Sequence, residues 1–211
     1  MPKINRKYIE TVWTNLDCLR AEDIPYSEQY NIKQIIDKID NTVNSCCHFI
    51  FGDYGYIGGG YSGSYLSSIE KLQFSTDTTS TCTSVLSSTK HALSACNSSA
   101  YGYFGGGYNS SVVSHIDSLN FSNDSVQLLT NYIHTSEWLS AANSSQIGYF
   151  YGGHNNSDNL STISKLVFIN NTTLQLTNYL SQSKRRLAAC NSSIAGYIGG
   201  GYSNSGAVST I

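Results

Sequence analysis

Three stretches of this chain carry residues that phosphate cradles are built from. "YGYIGGGYSGS" begins at Tyr54, "YGYFGGGYNSS" at Tyr101 and "AGYIGGGYSNS" at Ala195. Glycine runs let backbone N–H groups close around an anion. A phosphate loop also needs Lys and Ser/Thr straight after the glycines, and a helix beyond them. Here the glycines run into "YSGSYLSSI" and "YNSSVVSHI", with no lysine and a strand-like pattern. No nucleotide site and no cofactor are expected.

The other chemically capable residues fare similarly. The histidines are His48, His91, His115, His134 and His154, and no two have ligand spacing on one element, so no metal site is expected. Glu70 and Asp117 fall at equivalent places of a repeat, and Ser164 takes the third place. A general acid–base pair needs two unlike environments to split its pKa values, and equivalence argues against that. No GxSxG elbow occurs. The chain reads as a non-enzyme, with no catalytic residue expected.

The elements behind these residues are set by repetition. Gly55, Gly102, Gly148 and Gly196 open the blocks "GYIGGGY", "GYFGGGY", "GYFYGGH" and "GYIGGGY", at spacings of 47, 46 and 48 residues. Ile69, Ile116, Ile163 and Ile211 align, as do Leu72, Leu119 and Leu166, and Phe74, Phe121 and Phe168. A polar turn follows each ("STDTT", "SNDS", "NNTT"), then an apolar segment with Leu86, Ile133 and Leu180 in register. Tyr151 replaces the first glycine of the third block, which marks that position as the least constrained. Each unit thus reads as four short strands, rich in Tyr, Phe, Ile, Val and Thr, broken at Gly, Asn and Asp. Four strands per repeat of this length is the pattern of a β-propeller blade. The units run 45–91, 92–137, 138–185 and a partial 186–211, about three and a half blades. The fold class expected is all-β.

These units resemble kelch repeats. "RRLAACNSSIAGYIGGGY" matches the first half of that pattern, a small-residue strand followed by an aromatic strand ending in glycines, with Arg185 and Arg186 near its basic position. The tryptophan that typically follows the outer turn is absent. Leu86, Ile133 and Leu180 stand in its neighbourhood, and Trp138 lies too late to replace it. The Asn/Ser/Tyr-rich character is similar to kelch-like arrays of bacteriophage tail and other virion proteins. The resemblance covers residues 45–211 and implies a structural or protein–protein interaction role in a virion, tail- or fibre-associated. The rivals are a cytoplasmic kelch-type adaptor and a carbohydrate-binding module for host recognition.

Composition agrees with a boundary near residue 44. Residues 1–44 hold six of the twelve Lys/Arg and seven of the fourteen Asp/Glu, although charged residues are only 12% of the chain. Within this segment Ile32, Ile35, Ile36, Ile39 and Val43 fall on one helical face. That stripe fits a helix packed on the array's edge or one that docks it to a larger particle. Net charge is −2, so there is no basic footprint for nucleic acid. No apolar run reaches the length of a membrane span, and "MPKINRKYIETVW" lacks the apolar stretch of a signal peptide. The Asn-x-Ser/Thr sequons then read as incidental, and a reducing compartment is expected.

Three expectations concern particular positions. Phe49, Cys96, Ala142 and Cys190 align, which marks a buried apolar site rather than a disulfide or metal ligand. His91 reads in register with Trp138 and Arg186, just before the first strand of a unit. Tyr61, Tyr108, His154 and Tyr202 recur after the glycines. They form either a contact surface for protein or glycan, or a cover for the neighbouring blade. An incomplete fourth unit offers unpaired strand edges, so a homo-oligomer or a place in a larger assembly is expected.

Overall fold

The computed structural model describes residues 53–192 and 195–209, all within the compact unit Asp53–Ile211. The expected helix with Ile32, Ile35, Ile36, Ile39 and Val43, the position Phe49 and the last aligned Ile211 lie outside the described residues.

Among the described residues all regular structure is β, in five small antiparallel sheets. Strands β1 (Tyr54–Gly58), β2 (Ile69–Gln73) and β3 (Thr78–Thr81) form the first. β4 (Ser94–Asn97), β5 (Tyr101–Gly105), β6 (Ile116–Asn120) and β7 (Val126–Leu128) form the second. β8 (Ser140–Asn143), β9 (Ile147–Tyr151), β10 (Ile163–Val167) and β11 (Thr172–Gln175) form the third. β12 (Ala188–Asn191) pairs with β13 (Gly196–Gly199), and β14 (Tyr202–Ser203) with β15 (Gly206–Ala207). Within each sheet the strands follow sequence order, as simple meanders.

The last strand of each unit differs from the sequence expectation. It is the Thr-rich or polar segment directly after the turn, and the segment around Leu86, Ile133 and Leu180 is not a strand. The turn is tight because Asp77, Asp124 and Asn171 take the left-handed backbone, at φ 53°, 55° and 54°. Asp and Asn tolerate that region better than other side-chain-bearing residues. Strand pairing therefore resumes at once: Val126 already faces Leu119, and Thr172 faces Val167. Leu86 and Ile133 turn inward from the loops beyond and are buried. Their backbone N–H groups bond to the Ser67 and Ser114 carbonyls.

The core lies between sheets rather than within one. Ile69 and Leu86 of the first unit pack with Phe104 and Leu119 of the second. Cys96, Tyr103, Ile116, Leu129 and Ile133 of the second unit pack with Leu139, Phe150 and Leu166 of the third. Full burial of such a side chain contributes about 1.5–3 kcal/mol, so each unit depends on its neighbours for stability. Tyr56 stacks on Phe121 with ring centroids 5.2 Å apart, and Tyr103 on Phe168 at 5.0 Å. Phe74, at the same repeat position, has no such tyrosine among the described residues and is 54% exposed.

Glycine is required where units meet. A Cβ on Gly59, Gly106 or Gly152 would sit 2.5–2.6 Å from the carbonyl oxygen of Lys90, Ser136 or Lys184, at the end of the same unit where the next begins. All three glycines also have positive φ, of 58–72°. Their position is fixed by the backbone at the end of their own unit, and this is the geometric reason for the motif.

The substitution of Tyr151 for glycine has a different cause from the one expected. The equivalent Gly58 and Gly105 face Phe104 and Phe150 of the next unit, where a Cβ would come within 3.0 and 2.7 Å of the ring. The unit after Tyr151 carries Ile198 in place of Phe. The position is therefore constrained: a large residue is admitted where the neighbour supplies a smaller one, and Tyr151 is buried.

The apolar-site reading for the aligned cysteines holds for two members. Cys96 and Ala142 are buried, whereas Cys190 is exposed. Cys96 lies against Gly148 and Ala142 against Gly196, each on the second strand of the next unit. Burial thus comes from the following unit's glycine strand. It also pushes the Cys96 thiol far above its ordinary pKa, so that residue packs as an apolar group. All three cysteines among the described residues are free thiols.

Candidate functional site

Two surfaces and one buried slot gather the polar and aromatic side chains. The surfaces follow the glycines. In the second, third and fourth units the residue after them pairs by backbone with the residue two places before the first core leucine of that unit. Tyr108 exchanges two hydrogen bonds with His91 (2.9 and 3.1 Å), His154 with Glu137 (2.9 and 3.0 Å), and Tyr202 with Arg185 (2.8 and 3.0 Å). On its other side each meets a further residue: Tyr108 meets Val112, His154 meets Asn159 and Tyr202 meets Ala207. The recurring aromatic is thus the middle of a three-strand patch one residue wide.

This pairing corrects the register of His91. Its equivalents are Glu137 and Arg185, one residue earlier than Trp138 and Arg186. Trp138 and Arg186 correspond instead to Ala92, and all three take the left-handed backbone at φ 51°, 56° and 55°. They form a chain across units: the Trp138 N–H bonds to the Ala92 carbonyl and the Arg186 N–H to the Trp138 carbonyl, both at 2.8 Å.

The four recurring residues separate into two groups. Tyr61 and Tyr108 join through Tyr65 and His91. The Tyr65 ring lies parallel to the His91 ring at 5.0 Å, Tyr61 approaches both, and Tyr108 closes on them edge-on. Tyr61 is 63% exposed, so this group presents an open phenol.

His154 and Tyr202 join through Trp138 and Arg185. His154 lies 5.8 Å from Trp138, ring to ring, and its Nδ1 is 3.5 Å from the Glu137 carboxylate. The Arg185 guanidinium stands 4.9 Å from the Trp138 ring and 5.7 Å from Tyr202, and that of Arg186 4.5 Å from Trp138. Sequence reasoning missed Tyr65, Trp138 and the two arginines as members of these groups. The backbone pairing brings them in, and the signal was the residue class just ahead of each "LSAC"-like strand.

The buried slot lies between units. Lys90 Nζ and Asp117 Oδ2 are 2.8 Å apart, and both side chains are fully buried. Their approach is not aligned as a hydrogen bond, but Asp117 Oδ1 accepts the Ser87 N–H at 3.0 Å. Asp117 is thereby half of a structural ion pair. Glu70, its repeat equivalent, is exposed.

At the next junction Ser164 replaces Asp117. Its Oγ accepts the His134 N–H at 3.0 Å and lies 2.8 Å from His134 Nδ1. His134 Nε2 is 2.9 Å from the Gly152 carbonyl, so that nitrogen carries the proton and Nδ1 accepts from Ser164. The arrangement has the form of a serine activated by a neutral imidazole. Ser164 is buried at 1% exposure, which leaves no room for a substrate at its oxygen. Burial pushes the His134 pKa down, partly offset by the bond to the Gly152 carbonyl. Among the described residues no three His, Cys, Asp or Glu side chains cluster as metal ligands.

The outer ends of the junctions are clamped as well. The Tyr56 hydroxyl donates to Asp124 Oδ1 at 2.8 Å, and Lys71 Nζ donates to Asp124 Oδ2 at 2.9 Å. Asp124 holds the Lys71 pKa above its ordinary value. Tyr103 donates to Asn171 Oδ1 at 3.2 Å in the same place one unit on.

The chain matches no protein-family model and no curated protein.

Proposed function

We propose that residues 45–211 form a kelch-like β-propeller array serving as a non-enzymatic structural and interaction scaffold. Its place is in a phage-type virion, tail- or fibre-associated. Residues 1–44 dock the array to the particle, and other virion proteins or further copies of the chain are its partners. The observation that carries the scaffold reading is the recurrence of one junction. Tyr108, His154 and Tyr202 each exchange two backbone hydrogen bonds with His91, Glu137 or Arg185, the last residue of the preceding unit, at 2.8–3.1 Å. A chain that spends its glycines and its buried polar groups on repeated contacts between units is organised for shape. The virion placement rests on the sequence resemblance.

The test has two readings. Antibody to the full chain detects it in purified virions, and deletion of residues 1–44 removes it from them. A chain found free in the cytoplasm of the producing cell, with partner binding intact after that deletion, replaces the virion scaffold by an adaptor. Mass measurement of the full chain in solution tests assembly: a strict monomer overturns the homo-oligomer.

A further inference from the structure

Lys71, Lys90, Lys165, Lys184, Arg185 and Arg186 are the only Lys/Arg after residue 44, and half of them are consecutive. The ion pairs among the described residues are Lys71–Asp124, Lys90–Asp117 and His154–Glu137. Neither arginine therefore has a carboxylate partner among the described residues. Both guanidinium groups gather on the Trp138 ring, at 4.9 and 4.5 Å. Stacking on an indole accounts for their place, but among the described residues it leaves their N–H donors without a protein acceptor. Arg185 Nε is buried and lacks a hydrogen-bond partner among the described residues, a state that is unfavourable for any polar group and more so for a charged one.

The site is held ready. The Arg185 backbone is pinned to Tyr202 by two hydrogen bonds and that of Arg186 to Trp138 by one. Two guanidinium forks on one ring repel each other until an oxyanion joins them, and such forks match oxyanions with paired N–H···O bonds. The junction one unit earlier has His91 and Ala92 on the chain strand and Glu137 and Trp138 on the next, so the paired arginines belong to this place alone. Beside them Tyr202 is 45% exposed and the Trp138 indole half-buried. Flat rings next to a cationic fork suit the apolar face of a sugar whose substituent carries the charge.

We infer that Trp138, Arg185, Arg186 and Tyr202 form a binding site for an acidic saccharide, with the arginines holding its sulfate or carboxylate and the rings holding the sugar. The site goes beyond the scaffold reading and stands without it. Trp13 and Trp138 are the two tryptophans, so full-length chain bearing Trp13→Phe reports the site by its emission. Titration at constant ionic strength compares a sulfated disaccharide, its unsulfated parent and sodium sulfate. The sulfated disaccharide is expected to give a saturable change, with the other two at least tenfold weaker. Arg186→Gln, at an exposed position, is expected to weaken binding tenfold or more with the far-UV circular dichroism unchanged. Calorimetry on the unsubstituted chain gives the same ranking should Trp13→Phe impair folding. No saturable change, equal binding of the parent sugar, or unaltered binding by Arg186→Gln overturns the site. Sodium sulfate binding as tightly as the sulfated sugar overturns the saccharide and leaves an adventitious ion only.

Discussion

The junction between the first and second units and the one between the second and third share a backbone but solve their polar interior differently. In the first, Asp117 receives the Ser87 N–H and is neutralised by Lys90. In the second, Ser164 receives the equivalent His134 N–H, the imidazole bridges to Gly152, and Ser136 stands where Lys90 would be. The outer clamp follows suit: Asp124 with Lys71 in the first, Asn171 with the Tyr103 hydroxyl in the second. Among the described residues both Lys–Asp pairs lie in the first junction, and the second has only the 3.5 Å approach of His154 Nδ1 to the Glu137 carboxylate. The difference teaches that the repeat conserves a donor aimed at a slot, and that acceptor and counter-charge are chosen together. A carboxylate brings its lysine; a hydroxyl or amide does without.

The largest effect should come from breaking one such set in half. Lys90→Met leaves Asp117 charged and buried, and a loss of about 3–5 kcal/mol is expected in urea unfolding. Converting the slot to its neutral form by Lys90→Met with Asp117→Ser should recover most of that loss, since serine can still accept the Ser87 N–H. A double variant as unstable as the single would mean that the slot is specific for charge, and the equivalence of the junctions would fail.

Next in size are the junction glycines. Gly106 and Gly200 both have positive φ, 68° and 63°, yet a Cβ would lie 2.6 Å from the Ser136 oxygen at the first and 3.7 Å from the nearest atom at the second. Alanine at either meets the left-handed penalty of about 1–2 kcal/mol. At Gly106 overpacking should add a further loss of about 1–3 kcal/mol. Equal losses by thermal unfolding would remove the close approach of the Ser136 carbonyl as the reason for that glycine.

Much of this was legible in the sequence, for physical reasons. Glycine spacing marked the units because a close approach of two backbones admits no other residue, as at Gly59 and Gly106. Leu86 and Ile133 were legible as apolar and repeated but not as loop residues. A buried loop leucine and a strand leucine look alike in a short run, and the Thr-rich outer strands lack alternation because both faces are largely exposed, as in β3. The polar slot was hidden. Lys90 meets Asp117, and His134 meets Ser164, only across units, so no local spacing announces them. The Arg185–Trp138 group was hidden by one residue of register, because a positive φ at Ala92, Trp138 and Arg186 shifts which side chain follows the backbone pairing. Cys190 was misread since burial there depends on a following glycine strand rather than on its own type.

A smaller effect, of opposite origin, should mark the neutral junction. The folded pKa of His134 lies below its unfolded value because burial disfavours the imidazolium. Above the unfolded pKa, near 6.5, His134 is neutral in both states and contributes no pH dependence. As pH falls below that value the unfolded chain takes up a proton that the folded chain refuses, and stability declines by up to about 1.4 kcal/mol per pH unit until the folded pKa is reached. Urea midpoints at pH 7.5 and 5.5 should therefore converge when His134→Asn is introduced. An unchanged difference would place the acid sensitivity elsewhere than in the second junction.

The smallest effect separates the two charged pairs of the first junction from one another. Lys71 and Asp124 keep 19% and 28% of their side-chain surface in solvent, whereas Lys90 and Asp117 keep none. Water and salt screen the former pair, and exposed pairs of this kind contribute about 0.2–1 kcal/mol. Lys71 also lies 4.1 Å from the Tyr54 ring, so part of its hold is on an aromatic face that salt affects less. Asp124→Asn gives the first clamp the acceptor that Asn171 supplies in the second. The Tyr56 hydroxyl can still donate to it, so the expected loss is under about 1 kcal/mol. Raising NaCl from 0.05 to 1 M should shift the urea midpoint of the unsubstituted chain by more than that of Asp124→Asn. The contribution of Lys90–Asp117, out of reach of mobile ions, should survive in both. Equal salt responses in the two proteins would show that the outer clamp holds by hydrogen bonding alone, and that its charge distinguishes the two junctions in sequence but not in energy.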